Sequence, residues 1–160
     1  MKQDGAWDSW FTTMVDFYRI PKDFPGFAAS KDTGDRYERI RWLENKFKED
    51  LGYPRFLPYI QLHEFESLLF ADPSNFTLAF PGCDAQIAAL CAIRDREANP
   101  ELIDDGPETH PSKRIGDLLP QYVKPSAGPL IAKQIGLMVL QRECSHFAEW
   151  MQSLRSIVAA

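Results

Sequence analysis

Within Gln61-Leu62-His63-Glu64-Phe65-Glu66 an apolar run ends in an imidazole and two carboxylates. These are the side-chain types that hold a divalent cation or move a proton near neutral pH. With a helix starting at about Leu62, residues Leu62, Phe65, Leu68 and Leu69 form its buried face. His63, Glu66 and Ser67 then share the adjacent face, so that His63 and Glu66 reach one ligand. A hydrogen bond between the histidine and the carboxylate, locking a strand-helix junction, is the plain structural alternative, and the residues leave both open. On such a helix Glu64 points away from Glu66, so both can act at one place only where the backbone is irregular.

A second group lies in Thr109-His110-Pro111-Ser112-Lys113-Arg114. Pro111 suits a first helical position and steers His110 into extended geometry, as a cap residue requires. Lys113 and Arg114 then fall in the first turn, where cations oppose the helix macrodipole unless a negative group stands nearby. An external phosphate can be that group, bound by free N–H groups, the lysine and the arginine together. Internal bridges to Asp104, Asp105 or Glu108 are the alternative. Gly128-Pro129 with Lys124 and Lys133 is a weaker anion site that reads mainly as a helix start. In Cys144-Ser145-His146 a cap by Ser145 is favoured over a thiol-imidazole pair, because neighbours in sequence are not thereby neighbours in space.

The elements that must position these groups follow from pattern. Trp10-Phe11-Thr12-Thr13-Met14-Val15-Asp16-Phe17 is rich in aromatic and β-branched residues and predicts a buried strand ending near Asp16. Asp35 and Glu38 match a capping box, Ile40, Leu43, Phe47 and Leu51 make an apolar stripe, and Gly52 with Pro54 ends it, so a helix spans Asp35 to Leu51. Its outer face carries Glu44 and Lys48 as a solvent pair. The helix leads to a second strand over Phe56 to Leu62, and the strand-helix-strand order predicts parallel pairing. Pro58 argues against a central place for that strand. Beyond Glu64 the pattern is helical: a cap at Asp72-Pro73, a helix over Ala85 to Glu97, a short one over Pro111 to Leu119, one opening at Gly128-Pro129 and one over His146 to Ile157. Half of the 12 prolines lie between Pro100 and Pro129, which makes that stretch a constrained surface segment.

The chain has 160 residues, 44% of them hydrophobic, enough for one domain with one substantial core. A net charge of -5 argues against coating nucleic acid by bulk electrostatics. No apolar run reaches the roughly 20 residues of a membrane helix, and the first residues lack a signal-peptide core, so no membrane partner and a cytoplasmic location are expected. Cys83, Cys91 and Cys144 are odd in number and form no C-x-x-C pair, which predicts reduced thiols. P-loop, dinucleotide, G-x-S-x-G and H-E-x-x-H patterns are all absent from the sequence.

Taken together, Thr13 to Pro21, Gln61 to Phe70, Pro107 to Ile115 and Cys144 to Trp150 resemble a bacterial family, domain of unknown function forty-two seventy-six. That family looks like a distant relative of Toprim domains, the α/β metal-binding fold of topoisomerases, primases and overcoming-lysogenization-defect nucleases. The resemblance implies a helix-rich α/β fold, a small mostly parallel sheet flanked by helices. It implies a Mg²⁺-dependent phosphodiester enzyme or its remnant, in phage defence, acting on nucleic acid. Asp16 would be a strand-end metal carboxylate, with His63, Glu64 and Glu66 as further site groups, Glu66 also on the metal, and Lys113 as a phosphate contact. The family's opening V-E-G-x-T-E strand has no counterpart before Asp16, and Tyr18 stands where a D-x-D would place its second aspartate. An exposed strand edge is then expected to be covered, for instance in a homodimer. The alternative is a non-catalytic interaction subunit serving a partner ATPase, in which the polar cluster only pins helices.

Overall fold

The computed structural model describes residues 9–103, 106 and 108–158. Two compact units make up the chain, Met1–Leu62 and His63–Ala160, and each is taken by itself.

In the first unit β1 (Phe11–Thr12) pairs with β3 (Phe56–Leu57) and β2 (Val15–Asp16) with β4 (Ile60–Gln61), both in parallel. The register sets Asp16 opposite Gln61. The stretch around Asp16 expected as one buried strand is therefore two short pieces, and Trp10 and Met14 stay 45% and 42% exposed. Thr13 bridges the interruption: its Oγ1 accepts from the Tyr59 N–H at 3.2 Å and lies 3.5 Å from the Tyr59 carbonyl as donor. Pro58, which has no N–H to give to a ladder, lies in the same interruption.

Between the strands runs α1 (Arg36–Leu51). Its capping box is present in both halves: Asp35 Oδ1 accepts from Glu38 N at 2.8 Å, and Asp35 N donates to Glu38 Oε2 at 3.4 Å. Gly52 closes it in the left-handed conformation (φ 61°), the geometry that favours glycine. Ile40 and Leu43 are buried, and Phe47 meets Phe24 and Phe56 edge to face. Glu44 departs from its expected solvent pairing with Lys48. Its Oε1 instead accepts from the Ile60 N–H at 2.8 Å, which gives that buried donor on β4 a partner.

The second unit is helical: α2 (Phe76–Ala79), α3 (Asp84–Arg94), α4 (Pro111–Leu118), α5 (Lys124–Ile135), α6 (Leu137–Glu143) and α7 (Ser145–Val158). Its centre is a 3₁₀ segment, Phe65–Ala71, buried from Glu66 onward and touching α3, α4, α5, α6 and the turn Pro100–Leu102. Seven residues is long for a 3₁₀ run, and burial on all sides is what sustains it. Helix α5 opens at Lys124 rather than at Gly128-Pro129, since Pro125 supplies the pre-set first turn and Pro129 lies inside the helix. The set of elements is a helix-rich α/β arrangement with small parallel strand pairs. Among the described residues no helix is long and apolar enough to cross a membrane, and the three cysteines are free.

Candidate functional site

The junction at residues 62–66 does not form the expected helix. His63 takes a left-handed backbone (φ 63°), Glu64 is extended (φ −142°, ψ 159°), and helical geometry begins only at Phe65 as a 3₁₀ turn. A non-glycine residue in that region costs on the order of 1–2 kcal/mol. His63 and Glu66 therefore do not lie on one helical face. The irregular backbone turns Glu64 and Glu66 toward a single point instead. Lys124 Nζ stands 3.5 Å from Glu64 Oε1 and 3.5 Å from Glu66 Oε2.

Both carboxylates are buried and anchored. Glu64 Oε2 accepts from Ser112 N at 2.9 Å and Oε1 from Ser112 Oγ at 3.0 Å, so the start of α4 is capped by a residue distant in sequence. His110 Nδ1 lies 3.3 Å from Glu64 Oε1 and 3.2 Å from Ser112 Oγ. The Ser112 hydroxyl thus lies between the Glu64 carboxylate and the His110 imidazole. Burial alone pushes the Glu64 carboxyl up. The Ser112 hydroxyl and backbone N–H, then Lys124 and His110, outweigh it and hold the group below its ordinary value.

Glu66 Oε1 accepts from Tyr122 Oη at 3.2 Å. Burial, and then the neighbouring Glu66 charge, push the Tyr122 phenol well above its usual range, so it remains a donor. Gly128 lets α5 come this close: a Cβ there would stand 3.1 Å from Tyr122 Oη and 3.3 Å from Phe65 Cε1. Two members of the cluster reach solvent, the Lys124 side chain at 46% exposure and His110 at 35%.

The other expected groups lie elsewhere. Asp16 belongs to the first unit, at the end of β2. Lys113 is exposed and bridges Asp117 one turn along at 2.5 Å, which raises its pKa through that hydrogen bond. The direct partner is thus Asp117, with the Glu108 charge acting on Lys113 from farther off, while Asp104 and Asp105 lie outside the described residues. Arg114 Nε donates to the Thr109 carbonyl. Ser145 does not cap its own helix. Its Oγ accepts from Asn99 Nδ2 at 2.8 Å, and the buried Glu101 takes the first N–H groups of α7, from His146 at 2.9 Å and Phe147 at 3.0 Å.

A divalent cation would meet hard oxygens of two carboxylates at the position that the Lys124 ammonium bridges. Mg²⁺ is commonly held by one or two carboxylates, with water and substrate phosphate completing the shell. Glu64 and Glu66 fit that donor chemistry. Among the described residues, no cluster of three or more His, Cys, Asp or Glu is placed to hold a metal ion.

The family model Domain of unknown function (DUF4276) matches residues 1–155. The chain belongs to this family. No curated protein and no solved structure matches it. The Gln61–Phe70 and Pro107–Ile115 segments that carried the resemblance are the two that meet through Glu64 and Ser112. Ser112, Tyr122 and Glu101 were not foreseen as site or cap residues. Only the helix start at Ser112 left a trace in the sequence, since a first turn carrying cations calls for a nearby acid.

Proposed function

We propose that this chain is a Mg²⁺-dependent phosphodiester enzyme, or the remnant of one, with Glu64 and Glu66 as the carboxylates that hold the ion. The observation that carries this reading is the convergence of two buried carboxylates on one cationic position that opens to solvent. When bound, Mg²⁺ would polarise a phosphate and activate water. Ser112 fixes the Glu64 carboxylate, Tyr122 fixes that of Glu66, and Lys124 and His110 supply the polar rim where an anionic ligand would approach. Asp16 is proposed as a metal carboxylate on the strength of the resemblance and its strand-end place, and Lys113 and Arg114 as phosphate contacts on the strength of their first-turn position. Nucleic acid as substrate and a setting in phage defence come with the resemblance. Titration of the whole chain with Mn²⁺ tests the reading: binding should be seen, and it should be lost in Glu66→Gln. Asp16→Asn read in the same titration tests that residue separately.

A second reading, an interaction subunit serving a partner ATPase, is favoured by the exposed Trp10, Met14, Val15 and Tyr18 of the first unit. Failure of the chain to bind Mn²⁺ would favour it.

A further inference from the structure

Lys124 is the first residue of α5, where a cation opposes the helix macrodipole. Its ammonium is drawn in all the same, to 3.5 Å from each of Glu64 Oε1 and Glu66 Oε2. Charge-assisted hydrogen bonds between such groups usually measure about 2.7–2.9 Å. The ammonium thus lies between two acceptors without closing tightly on either. The other direct partners behave differently. Ser112 is buried and binds Glu64 through backbone and hydroxyl, and Tyr122 is held against Glu66 below α5. Lys124 alone combines a mobile four-carbon stem, a head in water and a loose grip on both carboxylates. The charges do not balance either: two carboxylates face one ammonium, with His110 as a second cation only when protonated.

We infer that Lys124 is a built-in counter-ion, which keeps the Glu64–Glu66 pair together and gives up its place when a divalent cation arrives. Metal entry and departure of the ammonium are then one event. The freed ammonium stays on the rim at the length of its own stem, beside any phosphate that binds the metal. This inference rests on the metal reading of the Glu64–Glu66 pair and adds a role for a residue outside the ligand set.

The test is Mn²⁺ binding followed by electron paramagnetic resonance on the whole chain, comparing wild type, Lys124→Gln and Glu66→Gln at a pH where histidine is neutral. Removing one competing unit charge at this distance, half screened by water, should tighten Mn²⁺ about tenfold in Lys124→Gln. Equal or weaker binding by Lys124→Gln overturns the role of Lys124 and leaves the metal reading standing. No binding by either protein, or undiminished binding by Glu66→Gln, overturns both. A second measurement needs no variant: the rate at which an amine reagent labels Lys124 in the wild type, read by mass spectrometry, should rise severalfold on adding Mn²⁺. An unchanged rate overturns the inference, and this measurement decides alone if Lys124→Gln does not fold.

Discussion

Glu64 and Glu101 solve the same local problem in opposite settings. Each is a buried carboxylate that accepts backbone N–H at the start of a helix, Glu64 at Ser112 of α4 and Glu101 at His146 and Phe147 of α7. A carboxylate at a helix start is favourable, because it satisfies orphan donors and meets the positive end of the macrodipole. Burial and helix capping therefore cannot tell a site from a support. The difference lies in what else arrives. At Glu64 a second carboxylate, a half-exposed lysine and a partly exposed histidine converge. Glu101 is fully buried, and its two capping bonds are both to backbone. At Glu64 the counter-charge lies half in water, which equips that carboxylate for ligand chemistry.

The contrast can be broken by substitution. Glu101→Gln should have the largest effect on folding, on the order of 3 kcal/mol in urea denaturation, because an amide cannot accept both N–H groups equally and presents a donor to one of them. Its Mn²⁺ binding, where the protein remains folded, should match wild type.

Glu64→Gln should lose on the order of 2 kcal/mol and also weaken Mn²⁺ binding, since one bond from Ser112 can survive on the amide oxygen. Its pH dependence gives a sharper check. The folded pKa of Glu64 lies below the ordinary value of 4.5, so the charged carboxylate stabilises the fold fully above that value. That contribution is lost as pH falls through the folded pKa. The stability gap between wild type and Glu64→Gln should therefore close as pH falls below about 4.5. A gap that persisted unchanged well below that value would contradict the assignment.

Ser112→Ala removes the hydroxyl donor and keeps the N–H, so about 1 kcal/mol should be lost, with Mn²⁺ binding weakened less than in Glu64→Gln. The smallest effect on stability belongs to Lys113→Ala, whose bridge to Asp117 is exposed. Unfolding curves should superimpose, while retention of sulfate or phosphate binding would remove Lys113 from the proposed anion contacts.

Local signals were legible in the sequence and distant ones were not. The box at Asp35 and Glu38, the stop at Gly52, the cap at Asp72 and the proline start of α4 depend on residues a few positions apart, and all are present. The parallel pairing followed from the strand-helix-strand order. The helix expected from Leu62 failed because His63 breaks the backbone in a conformation that propensity does not favour. That same irregularity was the condition for Glu64 and Glu66 to act together. Ser112 and Tyr122 lie 48 and 56 positions from the carboxylates they bind, and no periodicity spans such gaps.

The carboxylate of Glu44 on the Ile60 N–H has a consequence beyond the fold of one molecule. Parallel strand pairs invite growth: any unoccupied donor row can template another chain, and stacking of that kind is how fibres begin. Helix α1 closes the Ile60 donor with a charged side chain from within the molecule, and Ile60 is fully buried, so no row is offered. Glu44→Ala would leave the buried Ile60 N–H without this acceptor, so the first symptom of that change should be a fall in melting temperature, equivalent to about 1–3 kcal/mol.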